Sequence, residues 1–278
     1  MSRLLFLALT LGTLMVAQSN PPSTPIFDVA SIRLHSSSDP LTNRFQLGRG
    51  GKFTASNCSL RVLTTWAFDV LQSQVAGAPG WFASDGWDIA AASGRDAQSD
   101  EIRMMVQRLL EDRFRLRYHW ETKEALVYHL VVGKAVKLRE NTVRGDCPSI
   151  FSDGPSTPTG AFPGAPCGGL MNSPGHTQGN KLTAGELARD LSFFLDSPVL
   201  DKTGLTGKYD IELRWTPERI LLQSSTPPDA ASPSIFTAIQ EQLGLKLESA
   251  KGRVRSLVID TWNDRLQTEL VSFLAQID

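Results

Sequence analysis

One short pattern occurs twice in this chain of 278 residues, and it constrains the fold more than any other feature of the sequence. A glycine, an aromatic residue, an aspartate and an isoleucine follow one another at residues 86–89, and the same order returns at residues 207–211 with one lysine inserted. Apolar and polar residues alternate from there to Trp215, which is the period of a half-buried strand. A strand that opens twice in the same way predicts two related units within one chain.

An amphipathic helix is predicted before each of these strands. The apolar face of the first consists of Leu60, Leu63, Ala67, Val70 and Leu71, and that of the second consists of Ala184, Leu187, Leu191, Phe194 and Leu195. Ser59 is the predicted N-cap of the first helix, and Thr183 with Glu186 forms a capping box at the start of the second.

Each half then continues with a second helix and two predicted strands. The second helices present the apolar sets Ile102, Met105, Val106, Leu109 and Leu110, and Ile235, Ala238, Ile239 and Leu243. Alternation over residues 114–120, a turn at Thr122-Lys123 and an apolar run over residues 126–132 predict a hairpin. In the second half, residues 245–247, a turn at Lys251-Gly252 and residues 254–259 predict another.

These elements predict an α+β protein of two diverged tandem repeats, each with the order helix, strand, helix, strand, strand, to which a leading strand can be added. The predicted boundaries are 20–140 for the first repeat, 141–180 for a linker rich in proline and glycine, and 181–261 for the second repeat. A helical tail is predicted over residues 262–278. The element order of each half faintly resembles the small α/β modules at the N-termini of secretins and TonB-dependent receptors.

The first residues and the cysteines predict the compartment. Arg3, the apolar run 4–16 and the small residues before position 20 have the form of a signal peptide, 1–19, and no other stretch is long and apolar enough to span a membrane. The mature protein is therefore expected in the periplasm or outside the cell. In that setting Cys147 and Cys167, which bracket part of the linker, are predicted to form a disulfide, and Cys58 to be a buried free thiol.

The charge balance argues against nucleic acid as a partner. Of 28 Lys and Arg residues 27 remain after removal of Arg3, against 29 Asp and Glu, so the net charge is −2. The four histidines are scattered and no metal-binding spacing occurs, so no metal or other cofactor is predicted. Residues 201–206, DKTGLT, approach the phosphorylation motif of P-type ATPases, but Leu205 replaces a required threonine, and a turn feeding a strand is the favoured interpretation.

Two surface features are candidates for contact with a ligand or partner. Trp81 lies between a glycine and a polar segment, which favours exposure of its ring. Arg115, Arg117 and His119 alternate with apolar residues and would form a basic strand face, either a solvated surface or a docking surface for an anionic partner.

Short pieces along nearly the whole mature chain carry a family resemblance. They are Phe27-Asp28-Val29-Ala30-Ser31-Ile32, Pro79-Gly80-Trp81, Trp87-Asp88-Ile89, residues 110–118, Thr122-Lys123, Val127-Tyr128, Cys167-Gly168-Gly169, residues 198–210, and residues 242–247 with 257–260. Together they make the chain similar to the soil-associated proteins, a domain of unknown function expanded in Acidobacteria. The resemblance implies an exported protein, with similar domains fused behind membrane metallopeptidases of the antibiotic-sensor type, and no assigned activity or catalytic residue.

The sequence thus favours a non-enzymatic binding or sensing module for a peptide, a glycan or an envelope protein, which would use the cleft between the halves or an exposed sheet edge. No G-x-S-x-G motif or other recognisable catalytic constellation occurs in the sequence, although an acid and a base could still be brought together from distant positions. The alternatives are an extracytoplasmic hydrolase whose site is assembled between the two halves, and a structural component of an envelope assembly.

Overall fold

The computed structural model of the chain describes residues 25–37, 39–145, 147, 160–162, 165, 167–173, 175–216 and 233–262. Within them the protein is α+β, with five α-helices and three four-stranded sheets, which confirms the predicted fold class. The predicted signal peptide and all of the predicted helical tail except Trp262 lie outside the described residues.

The N-terminal sheet and its helices are built from residues 29–113. The strands are β1 Val29–Leu34, β2 Arg44–Gly48, β3 Lys52–Ser59 and β5 Gly86–Ala92, in the antiparallel order β1-β5-β3-β2. The helices are α1 Leu60–Phe68, α2 Trp81–Ser84 and α3 Ser99–Arg113. The predicted apolar residues of both helices are buried, but α1 ends at Phe68, so Val70 and Leu71 lie beyond it. Ser59 caps α1 as predicted, since its side chain accepts a hydrogen bond from the Val62 amide.

The C-terminal sheet repeats this construction. Its strands are β7 Arg139–Glu140, β8 Met171–Ser173, β9 His176–Leu182 and β11 Tyr209–Arg214, in the antiparallel order β7-β11-β9-β8. Helix α4 is Ala184–Leu195 and carries the predicted capping box, and α5 Ile235–Ala238 continues into a π-helical turn, Ile239–Leu243. In both sheets a hairpin leads directly into a helix (β2–β3 into α1, β8–β9 into α4).

A central sheet joins the two halves and corrects the sequence interpretation. Its order is β10-β6-β12-β4, with β4 Val75–Ala76, β6 Arg117–Val132, β10 Val199–Asp201 and β12 Leu245–Thr261. The two predicted hairpins are wrong, because β6 and β12 are each one unbroken strand and pair with each other antiparallel along their length. Lys123 lies opposite Val254 and Gly252 opposite Ala125, so each segment predicted to turn has a ladder partner in the other half of the chain.

Through this pairing, each half contributes residues to the core of the other half. Leu257 and Ile259, near the end of β12, are buried in the core of the N-terminal half. Leu130, near the end of β6, is buried with Leu245 in the core of the C-terminal half. The two cores are therefore interlocked through the β6–β12 ribbon. The tandem repeat itself stays a prediction, which superposition of residues 60–132 on 184–259 would test.

The motif near residue 201 forms the turn predicted for it. The Asp201 carboxylate accepts a hydrogen bond from the Thr203 amide at 2.8 Å, and the Thr203 hydroxyl accepts one from the Leu205 amide at 3.1 Å. Both side chains thus stabilise the turn that precedes β11.

Candidate functional site

The outer edge of β1 offers backbone hydrogen-bonding groups. Strand β1 ends its sheet, and no strand in the described ranges pairs with its other side. The His35 amide donates to the Gly86 carbonyl at 2.8 Å, so the odd-numbered residues direct their backbone groups towards β5. Because this direction alternates along an antiparallel strand, the N–H and C=O groups of Ala30, Ile32 and Leu34 point to the open side.

A polar and apolar groove lies between the start of β1 and helix α3. Its larger part is an open cavity of about 530 Å³ lined by Ile26, Asp28 and Met104, among others, and a smaller part reaches Ala30. Ile26 and Met104 are more than two-fifths exposed. Arg95 bonds to Glu101 on the wall of this cavity, and that contact holds the pKa of the Glu101 carboxyl below its usual value. The groove thus combines apolar side chains with an ion pair beside an open strand edge.

A hydrogen-bonded series of three side chains lies where β1 ends. The Ser37 Oγ is 2.8 Å from His35 Nε2, and His35 Nδ1 is 3.1 Å from both carboxylate oxygens of Asp88. The Asn57 amide donates to Asp88 at 2.9 Å, and this bond, helped by His35, keeps the pKa of the carboxyl below its usual value. Sequence reasoning missed all three side chains, because His35 and Asp88 are 53 residues apart and only the pairing of β1 with β5 joins them.

The predicted surface residues occupy two different settings. Trp81 is half-buried in α2, where its ring packs edge-to-face on Trp262 with 5.8 Å between centroids. Arg115, Arg117 and His119 are exposed, but only Arg117 and His119 lie on β6. The predicted strand start at residue 114 is wrong, because β6 begins at Arg117 and Arg115 precedes it with a left-handed φ of 56°.

Carboxylates surround the histidine of that basic face. His119 Nε2 lies 3.2 Å from Glu121 and Nδ1 lies 2.8 Å from Asp260. These contacts, that with Glu121 foremost, raise the pKa of His119. Part of the positive charge on this face is therefore paired within the protein.

The cysteines take the predicted roles. Cys147 and Cys167 form a disulfide with 5.4 Å between their Cα atoms. Cys58 is a buried free thiol, and burial raises its pKa to about 12, so it is a poor nucleophile.

The described residues contain no membrane-spanning helix and no group of three or more metal-ligating side chains. Between the halves lies a crevice of about 130 Å³, lined by Asp69, Arg189 and Phe193, among others. Asp69 pairs there with Arg103 and Arg189. Because this crevice is small and its charged side chains pair with one another, it offers less room for a ligand than the groove beside β1.

Residues 61–261 match the model of a family described as "Protein of unknown function (DUF3738)". The chain belongs to this family. The DUF3738 match runs from α1 to the end of β12 and so spans both halves and the central ribbon. Strands β1 to β3, with His35 and Ser37, precede the matched region. Neither the curated proteins nor the solved structures contain a match to the chain.

Proposed function

We propose that this DUF3738 protein is an exported binding module that takes an extended segment of an envelope protein as an added strand on β1. The observation that carries this proposal is the open edge, where Ala30, Ile32 and Leu34 direct backbone donors and acceptors away from the sheet. An extended peptide satisfies such groups with its own backbone, which provides affinity without a deep pocket.

The side chains beside the edge define the peptide that fits. Val29 is 65% exposed, and the side chain of Arg33 is 77% exposed. Ile26 and Met104 offer apolar contacts in the groove towards α3. Alternate residues of an added strand face opposite sides, so the favoured segment has apolar residues on one side and an acidic residue opposite Arg33.

Proline at position 30 tests the edge directly. The Ala30 N–H points outward, so Ala30→Pro removes a donor from the open side and leaves the bonds to β5 in place, which an edge strand tolerates. Ala30→Val keeps the N–H and is the matched control. Peptides selected from a displayed library on the chain 20–278 are expected to bind Ala30→Pro at least about tenfold more weakly and Ala30→Val nearly normally. Equal binding to all three proteins would contradict the proposal.

A further inference from the structure

The Ser37, His35 and Asp88 side chains have the connectivity of a nucleophile, a general base and an orienting acid. Nε2 of the imidazole contacts the hydroxyl and Nδ1 contacts the carboxylate, and this order of atoms, not the sequence position, defines such a relay. We propose that these residues form a site that hydrolyses small carboxylic esters. This proposal is independent of peptide binding at β1.

The structural role of Asp88 does not account for the other two residues. Asp88 accepts a hydrogen bond from Asn57, a left-handed residue before α1, and Asp210 accepts one from Lys181, a left-handed residue before α4. The same backbone task is therefore done in both halves. Asp210 is contacted by Lys181, Asn141 and the Ala161 amide. Asp88 is contacted in addition by Nδ1 of the His35 imidazole, and Nε2 of that imidazole contacts the Ser37 hydroxyl.

The surroundings leave the site open to a small substrate. Ser37 is exposed, and Asp88 also lines an open groove of about 320 Å³ on the outer face of the N-terminal sheet. Arg33 and Ser56 contribute polar groups to that groove. Neither Ser37 nor His35 lines this groove, so a substrate reaches the exposed hydroxyl from the solvent side.

The reaction uses only the ester and water. With Nδ1–H donating to the ionised Asp88 carboxylate, the Ser37 hydroxyl donates to His35 Nε2, and its oxygen attacks the ester carbonyl carbon as the proton moves to the imidazole. The bond to the leaving alcohol breaks, and the alcohol oxygen takes that proton. Water then attacks the acyl-serine in the same way, which releases the carboxylic acid and restores the hydroxyl.

Asp39 offers the Ser37 hydroxyl a second hydrogen-bond partner. Its carboxylate lies 2.9 Å from Ser37 Oγ and competes with His35 for the single hydroxyl proton. Its negative charge also opposes the oxyanion that forms during attack. Replacing it by asparagine removes the negative charge and leaves a weaker acceptor for the hydroxyl, so Asp39→Asn is expected to react faster than the natural sequence.

The test uses the chain 20–278 with p-nitrophenyl acetate and with an alkyl fluorophosphonate. We expect a fluorophosphonate adduct on Ser37 by mass spectrometry, ester hydrolysis that falls to the buffer rate in Ser37→Ala, and acylation about 100-fold slower in His35→Gln. Ser84→Ala is the matched control, because the exposed Ser84 hydroxyl bonds to Asp85 instead of a histidine, and its rate should equal that of the natural chain.

The proposal fails if Ser37 acquires no adduct in either the natural chain or Asp39→Asn while near-UV circular dichroism shows both to be folded. It also fails if His35→Gln hydrolyses the ester at the natural rate, since the imidazole then does no base chemistry. Asp88 is left unchanged in these tests because its carboxylate also holds the backbone at Asn57.

Discussion

The aspartates of the repeated pattern solve the same local problem in both halves. Asn57 and Lys181 have positive φ angles of 43° and 57° and stand two residues before the N-caps of α1 and α4. The strand pairing is irregular beside each of them, so their amides lose a ladder partner. Asp88 and Asp210 accept those amides instead. The repeated Asp therefore serves the bulge between strand and helix.

Replacing Asp210, the more buried of these two aspartates, measures its contribution to the free energy of unfolding. Asp210 is 7% exposed and accepts hydrogen bonds from the Lys181 amide, the Ala161 amide and Asn141. Asp210→Asn presents an amide group to donors, and we expect the free energy of unfolding to fall by about 1.5–3 kcal/mol in urea denaturation. Asp112→Asn, at a half-exposed ion pair with Arg108, should cost less than about 1 kcal/mol. Equal losses in the two variants would show that the bulge does not depend on Asp210.

Asp190 should give the free energy of unfolding an unusual dependence on pH. Burial raises the pKa of Asp190 in α4 to about 6, although Arg189 opposes the shift. The folded protein thus binds this proton more tightly than the unfolded chain does, so the contribution of Asp190 to the free energy of unfolding falls as pH rises from 4 to 6. We expect Asp190→Asn to be more stable than the natural chain at pH 7, by roughly 1–2 kcal/mol, and nearly equal at pH 4. A constant difference across that range would contradict this assignment.

At the scale of elements, local pattern predicted the pieces that local contacts stabilise. The buried apolar residues of α1 and α3, the caps Ser59 and Thr183 and the position of β11 all depend on residues close in sequence, and each is confirmed. The unbroken β6 was not predictable in this way, because its ladder partner, β12, begins 113 residues after it ends. The open edge of β1 is equally hidden, because it depends on how the strands of the described residues pair with one another.

The disulfide supports the segment before β9. Cys167 forms an isolated parallel bridge with Asn180, and the Gly168 amide donates to the Asn180 carbonyl at 2.8 Å. The bond to Cys147 closes a separation of 20 residues, and removing it should lower the free energy of unfolding by about 3 kcal/mol. We expect this loss in Cys147→Ser/Cys167→Ser by urea denaturation, and the same loss in the natural chain with dithiothreitol. Dithiothreitol should not change the double variant, because Cys58 is a buried thiol; a further loss would refute that explanation.

At the scale of the molecule, the cores cannot form from contiguous halves. The N-terminal core includes Leu257 and Ile259, and the C-terminal core includes Leu130. Among the described residues, β4 pairs only with β12 and β10 only with β6, so each short strand has its partner in the other half. Cooperative folding should therefore require both long strands together, whatever the evolutionary origin of the halves.

Fragments test this interdependence. Residues 20–140 lack the Leu257 and Ile259 side chains that β12 places in their core. Residues 141–278 lack Leu130 and strand β6, the partner of β10. We expect neither fragment alone to show a cooperative urea transition, because losing two large buried side chains costs several kcal/mol, close to the stability of a small domain. Mixing the fragments should restore a cooperative transition through the β6–β12 pairing. As a control, Leu126→Ala, an exposed site on β6, should not impair this recovery. Independent cooperative unfolding of both fragments would mean that the exchanged side chains contribute little to either core.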